Sequence, residues 1–423
     1  MSRRYLPLGV DTVEDIEGYQ PGAYHPVHLG DTFDGKYKIL HKLGSGGFST
    51  TWLARDIVGK RYYAVKIVKA GETAASTEMR TLSKLAAIQS DDCGKHHIRN
   101  LAAHFTLQGP NGLHNCLVTE VAGPSLNRLY NVIGHGYAQG SRRLRADIAR
   151  TATRQLVQAV HFLHSQRICH GDLTLSNVLL KLKPVDDWTE DEVLGRLGTP
   201  STQDLVAAPG TDPGDSAPGY VVEPASMPDA KYFTHDVLLV DFGEAFPADS
   251  PPKPEDIGIP VKYRAPETFF ESKVSPASEA WSLACVLYEI RAGDPLFTSI
   301  MGGRDEIIMQ MMQMKGKLPG PWWSSWEGRS RWFDDNGKSH REGSEDISTA
   351  PEYPLEGMIA EIGGEDEEEA FFGSEVSKLE PKDTKVPQDE AESMRDFLEA
   401  ALKWAPEERL TVAQMLCHPW ITG

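Results

Sequence analysis

Asp172 and Asn177 stand five residues apart in a short polar loop. The apolar pair Ile168-Cys169 leads in and Val178-Leu179-Leu180 leads out. Strand–loop–strand geometry would hold a carboxylate and an amide at one edge of a cleft. A second carboxylate, Asp241, ends the buried-type run Asp236-Val237-Leu238-Leu239-Val240 and is followed by Phe242-Gly243. Upstream, Lys66 lies inside Tyr62-Tyr63-Ala64-Val65-Lys66-Ile67-Val68. A lysine in an apolar strand is costly to bury without an anionic partner. Gly44-Ser45-Gly46-Gly47-Phe48-Ser49 joins two β-forming runs. Glycines there let backbone N–H groups come close to phosphates and tolerate a left-handed φ. Each signal is weak alone: hairpins often carry glycines, an edge lysine can face water, and aspartates are common in polar turns. Their order is that of a cleft that binds a phosphorylated ligand and transfers a phosphoryl group.

Several elements must position these groups. Tyr37–Leu43, Thr50–Ala54 and Tyr62–Val68 read as three strands, with the glycine turn between the first two. Residues 76–89 carry apolar side chains at helical spacing: Met79, Leu82, Leu85 and Ala86. Glu78 leads into that stripe and is the favoured partner for Lys66, with Glu72 as competitor. Leu101–Leu107 and Leu117–Val121 read as a strand pair around Gly109-Pro110-Asn111-Gly112, and Gly123-Pro124 suits a hinge. Ile148, Ala152, Leu156, Val160 and Leu163 mark a helix ahead of the Asp172 loop. Residues 181–235 form an insert. Thr189 and Glu192 have capping-box spacing, but repeated prolines predict a mostly extended, mobile loop. Glu279–Ile290 is a strongly apolar helix, and Met394–Trp404 and Thr411–Leu416 are two closing helices. The polar first 36 residues suit either a flexible arm or, given Tyr19, Pro21, Tyr24 and Pro26, a segment laid across a folded surface.

Composition limits the function class. The 423 residues carry 43 basic and 61 acidic side chains, a formal net charge of -18. That argues against direct nucleic-acid or anionic-membrane binding and favours basic partners. Five scattered cysteines form no C-x-x-C pair, so a reducing compartment, cytoplasmic or nuclear, is expected. No apolar run approaches a membrane span, and no secretory signal is expected. The acidic run Glu365–Glu369 reads as a solvated loop.

Together, the Gly-rich hairpin, the strand lysine, the Asp172-x4-Asn177 loop, Asp241-Phe242-Gly243 and Ala265-Pro266-Glu267 resemble the eukaryotic protein kinases, over roughly residues 31–423. The resemblance implies an α+β, two-lobed protein kinase fold, with a small β-rich lobe and a larger, mainly helical one. Residues 1–30 would be an extension, 31–121 the first lobe, and 122–423 the second lobe with inserts at 181–235 and 301–392. It implies ATP and Mg²⁺. Lys66, held by Glu78, would grip the α- and β-phosphates under a loop of Gly44, Ser45, Gly46, Gly47, Phe48, Ser49 and Thr51. Asp241 and Asn177 would ligate magnesium. Asp172 would orient the substrate hydroxyl and accept its proton. Adenine would lie among Leu43, Ala64 and Leu179, with backbone hydrogen bonds at Glu120 and Ala122 and Thr119 as gatekeeper. Glu267 would pair with Arg409.

The chain is more closely similar to the serine/arginine-rich protein kinases, especially fungal ones. Tyr19–Val27 followed by Gly30-Asp31, the hairpin through Asp56, and Asp305–Ile308 with Lys317–Pro319 and Pro321-Trp322-Trp323 carry that likeness. It implies a monomer that phosphorylates serines in protein substrates rich in Arg and Ser. Four positions depart from pattern. Gly171 replaces the usual arginine, which predicts activity independent of activation-loop phosphorylation. Thr174 replaces a lysine, Glu279 an aspartate and Ala284 a glycine. Thr174 and Glu279 favour the alternative, a pseudokinase used as a binding module. A small-molecule kinase of related fold is disfavoured by Glu267 with Arg409.

Overall fold

The structure is a computed structural model and describes residues 3–131, 143–212, 214–226, 230–299, 303–340, 350–364, 379–381 and 383–423. The acidic run Glu365–Glu369 lies outside the described residues. The chain divides into two compact units. Residues 1–89, 99–124 and 180–234 form one, and 90–98, 125–179 and 235–423 the other.

The first unit is built on a six-stranded sheet. Its strands are β1 (Thr32–Phe33), β2 (Tyr37–Gly46), β3 (Ser49–Asp56), β4 (Tyr62–Val68), β5 (Leu101–Gly109) and β6 (Gly112–Glu120), in the order β1-β2-β3-β4-β6-β5. Every neighbouring pair is antiparallel. Alternating side chains send Tyr37, Ile39, Trp52, Val65 and Val118 to one buried face. The turn between β5 and β6 closes at Gly112, whose φ of 128° suits a residue without a Cβ. Helix α1 (Thr77–Ala87) starts where the Ser76 side chain caps the Met79 N–H, and it buries Leu82 and Leu85.

The insert differs from the mobile loop its prolines predict, and it packs with the first unit rather than the second. The capping box of Thr189 and Glu192 forms and starts a helix, Glu190–Leu197. Val193, Leu197 and Ala225 join Leu40, Leu53 and Tyr62 in one apolar cluster. Thr202–Asp204 and Tyr220–Val222 pair as short antiparallel strands. Burial of these side chains against the sheet supplies the order that local sequence lacks. The amino-terminal segment lies on the same layer. Tyr5 bridges Ala207, and Tyr19 and Tyr24 pack with Val221, Leu205 and Ala217. It is a surface-laid segment, not a flexible arm.

The second unit is mainly helical. Helix α2 (Ala146–Ser165) buries Ile148, Ala152, Leu156, Val160 and Leu163, the predicted stripe. Helix α3 (Pro276–Ala292) begins with a Ser275 cap and proline in its first turn, and ends at left-handed Gly293. All of its residues from Ser278 to Ala292 are buried, so it is the central element of the unit. Glu267 and Arg409 form the expected pair, with Arg409 Nη2 and Nη1 donating to the two carboxylate oxygens at 2.6 and 2.7 Å. The Ser278 hydroxyl donates to the same carboxylate at 2.7 Å. Among the described residues no helix is long and apolar enough to cross a membrane.

Candidate active site

In the first unit, Lys66 lies on a central strand. It is opposite Thr51 on β3 and Leu117 on β6, so it is not an edge lysine facing water. Its ammonium meets Glu78 Oε2 at 2.6 Å, with both side chains largely shielded. The partner is therefore Glu78, not Glu72. Ala64 pairs with Leu53 and Thr119, and both Ala64 and Thr119 are buried. Leu43 packs partly buried against Leu40 and Leu53. Glu120 is exposed at the end of β6 and Ala122 is half-buried just beyond it.

Residues 44–49 form the predicted hairpin tip, with Gly46 opposite Ser49. Ser45, Gly46, Gly47 and Phe48 are exposed, while Ser49 is buried. None of the hairpin glycines takes the left-handed φ that glycine tolerates. A Cβ at Gly44, Gly46 or Gly47 would meet no protein atom within 4 Å. Internal packing therefore does not require them. They leave bare backbone for a ligand to approach.

In the second unit, the Asn177 amide donates to Asp172 Oδ2 at 2.8 Å and to the Asp172 carbonyl at 2.9 Å. Both partners are acceptors, so Nδ2 must face them and the Asn177 amide oxygen points elsewhere. Asp172 Oδ1 is buried and has no hydrogen-bond partner. Burial is the main cause that raises the Asp172 pKa, and the Asp241 charge adds to it. His170 and the Asn177 hydrogen bond oppose the rise. Leu179 follows, half-buried, on the outgoing strand. Asp241 is exposed and has a φ of 63°, a left-handed conformation that a non-glycine residue adopts at a cost of roughly 1–2 kcal/mol. The adjacent Val240 N–H donates to the Asn177 carbonyl at 2.9 Å, tying the two acid-bearing segments together.

The loop hangs from helix α3. Glu279 Oε1 accepts the Gly171 N–H at 2.8 Å, and Oε2 meets His164 Nε2 at 2.7 Å. Burial pushes the Glu279 pKa up, but His164 and the Gly171 N–H outweigh it and hold the carboxyl below its usual range. The longer glutamate side chain therefore ties the loop to helix α3. Cys169 Sγ lies within 4.8 Å of both partners, yet burial keeps its thiol protonated and Glu279 is already engaged at both oxygens. His170 fixes the loop from within. Its Nδ1 accepts the Asp172 N–H at 3.2 Å, so Nε2 carries the proton donated to the Val240 carbonyl at 3.0 Å. Gly171 has a φ of 81°, and a Cβ there would lie 2.2 Å from the Glu244 carbonyl oxygen. Any side chain at 171 would force the backbone of residue 244 to move.

A protein-family profile described as protein kinase domain matches residues 37–189 and 228–421. The chain belongs to the protein kinase family. The kinase is 27% identical to the serine/threonine-protein kinase SRPK of Physarum polycephalum, over 96% of this chain and 91% of that protein. It is 25% identical to protein kinase dsk1 of Schizosaccharomyces pombe, over 96% and 85%. Over 40% of this chain it is 36% identical to 29% of human SRSF protein kinase 3. These relatives agree with the resemblance carried by the hairpin and the segment before it. The profile skips residues 190–227, the part of the insert that packs beside the amino-terminal segment. Neither His164 nor His170 has a role that the sequence alone assigns. The only local signal was the position of His170, two residues before Asp172. Nothing in sequence couples His164 to Glu279, 115 residues away.

Proposed function

We propose that this chain is a serine/threonine protein kinase that uses ATP with magnesium and phosphorylates serines in arginine-rich protein segments. The observation that carries the reading is the buried, unpartnered Asp172 Oδ1 beside Asn177, on a loop anchored by Glu279. An acceptor with no internal partner is suited to a hydrogen bond from an incoming hydroxyl.

The donor set fits magnesium. The Asp241 carboxylate and the outward amide oxygen of Asn177 are hard oxygens of the kind that ion takes. Asp241 and Asn177 would hold the ion, which would supply positive charge against that of the phosphates. Lys66, held by Glu78, binds the α- and β-phosphates, and the bare hairpin backbone covers them. Leu43, Ala64 and Leu179 offer apolar contact to adenine, and the backbone at Glu120 and Ala122 offers it hydrogen bonds. Asp172 Oδ1 accepts the proton of the serine hydroxyl. The serine oxygen–phosphorus bond forms as the bond from the γ-phosphorus to the β–γ bridging oxygen breaks, and ADP leaves. Thr174 brings no cation to this loop, so Lys66, magnesium and the backbone must carry the neutralisation. The net charge of -18 and the names of the relatives support a basic, Ser-containing substrate.

Thr174 also keeps the binding-module alternative in view. Transfer of labelled phosphate from ATP to an Arg-Ser repeat peptide and to a generic basic protein separates the two. Wild type should exceed an Asp172→Asn control on the repeat peptide. Equal rates on both substrates, with nucleotide still bound, would sink the enzyme reading.

A further inference from the structure

The amino-terminal segment reaches the glycine hairpin at two points. The Tyr24 hydroxyl donates to the Gly46 carbonyl at 2.7 Å. Three residues before the first hairpin glycine's neighbour, Ser45, the fully buried Lys42 ammonium is paired with the buried Glu14 carboxylate, which also accepts the Tyr19 hydroxyl. Tyr24 is itself held from several sides. The Asn111 amide donates to its carbonyl at 2.6 Å, the Lys69 ammonium lies 4.1 Å from its ring centroid, and Gly18 leaves room for the ring edge. The Lys69 N–H in turn donates to the Phe48 carbonyl at 2.9 Å, on the other arm of the hairpin. Both arms are thus tied to one small cluster. That cluster includes residues 14–24, which lie outside the part of the chain that matches the kinase profile.

We propose that Tyr24 is a positioning residue for the nucleotide-covering hairpin, acting through its hydrogen bond to the Gly46 carbonyl. The hairpin glycines have no side chains of their own to anchor them, so any restraint must act on their backbone groups. A hydroxyl on a buried, well-packed ring fixes the Gly46 peptide by its carbonyl. This inference rests on reading the hairpin as the element that covers the phosphates.

The test is Tyr24→Phe, which keeps the ring and removes the hydroxyl. Tyr5→Phe is the control, because the Tyr5 hydroxyl lies buried in the same layer and has no partner. Losing one neutral hydrogen bond should raise KM for ATP about three- to tenfold. The kcat, the KM for an Arg-Ser peptide and the unfolding midpoint should stay close to wild type. Amide hydrogen exchange over residues 44–49 should quicken in Tyr24→Phe and not in Tyr5→Phe. Unchanged exchange there overturns the proposal whether or not the chain transfers phosphate. Faster exchange with unchanged KM for ATP also overturns it, since the hairpin would then be loosened without consequence for nucleotide. If wild type fails to transfer phosphate, the enzyme reading fails separately, and exchange with titration of ATP binding still decides the role of Tyr24.

Discussion

Glu279 Oε1 accepts the Gly171 N–H at 2.8 Å while Oε2 meets His164 at 2.7 Å. One carboxylate thus joins the loop bearing Asp172 to helices α2 and α3. Glu279→Gln should weaken both contacts, and charge-assisted hydrogen bonds contribute about 1.5–3 kcal/mol each. Urea unfolding should show a loss of that order, with a fall in kcat. The Glu279 carboxyl is held below its ordinary value of 4.5, so its stabilising contribution is present above that value and is lost as pH falls through the folded pKa. The acid side of the stability profile should therefore flatten in Glu279→Gln. A variant profile parallel to wild type would contradict this.

Asp172 is the opposite case. Burial raises its pKa, so the charged form costs stability at neutral pH, and protonation relieves the cost as pH falls through the folded value. Asp172→Asn should bind nucleotide and unfold at an equal or higher temperature, yet lose about 10²–10⁴-fold in kcat. The wild-type rate should fall on the acid side at a pH above the ordinary range of an aspartate. Steady-state rates across pH and thermal melts of both proteins check this.

Arg409 and Glu267 are both almost completely buried and bonded through two hydrogen bonds. Arg409→Ala would leave the Glu267 charge without its partner, a loss of about 3–5 kcal/mol. The loss should appear in denaturant unfolding of the whole chain. A change under 1 kcal/mol would mean that the pair is not structural.

The segment from Glu244 to Arg264 is held by contacts that need no phosphate. Arg264 donates to the Ile257 and Ile259 carbonyls at 2.8 and 2.9 Å. Tyr263 donates to Glu289 at 2.5 Å, and the Gly258 N–H reaches Glu244 at 3.2 Å. Phosphatase-treated protein should keep its full rate on an Arg-Ser peptide. A several-fold fall after treatment would refute this.

The sequence made the chemistry-bearing residues legible because motif spacing is local and strand periodicity is strong. Lys66 on an apolar strand, Glu78 at the start of a helical stripe, and the Thr189–Glu192 capping box all appear where residue order placed them. What escaped was non-local. Prolines in the insert signal a lack of long regular structure, but they say nothing of Val193 and Leu197 packing on Leu40 and Leu53. Glu279 departs from the usual aspartate in sequence, and only the positions of Gly171 and His164 give its longer side chain a use. The hairpin glycines serve through the absence of side chains, and the left-handed φ that glycine also tolerates is not used there.

Tyr5 bridges Ala207, and the Leu6 N–H donates to the Val206 carbonyl at 2.9 Å. These contacts impose a schedule on synthesis. At about 5–20 residues per second, the segment around Ala207 that receives Tyr5 leaves the ribosome roughly 10–40 s after Tyr5 itself. During that interval Tyr5, Tyr19 and Tyr24 lack much of the surface they later cover. The nascent chain therefore carries an exposed aromatic segment for longer than its position near the start would suggest, and this is the stretch on which a chaperone would have the most time to act.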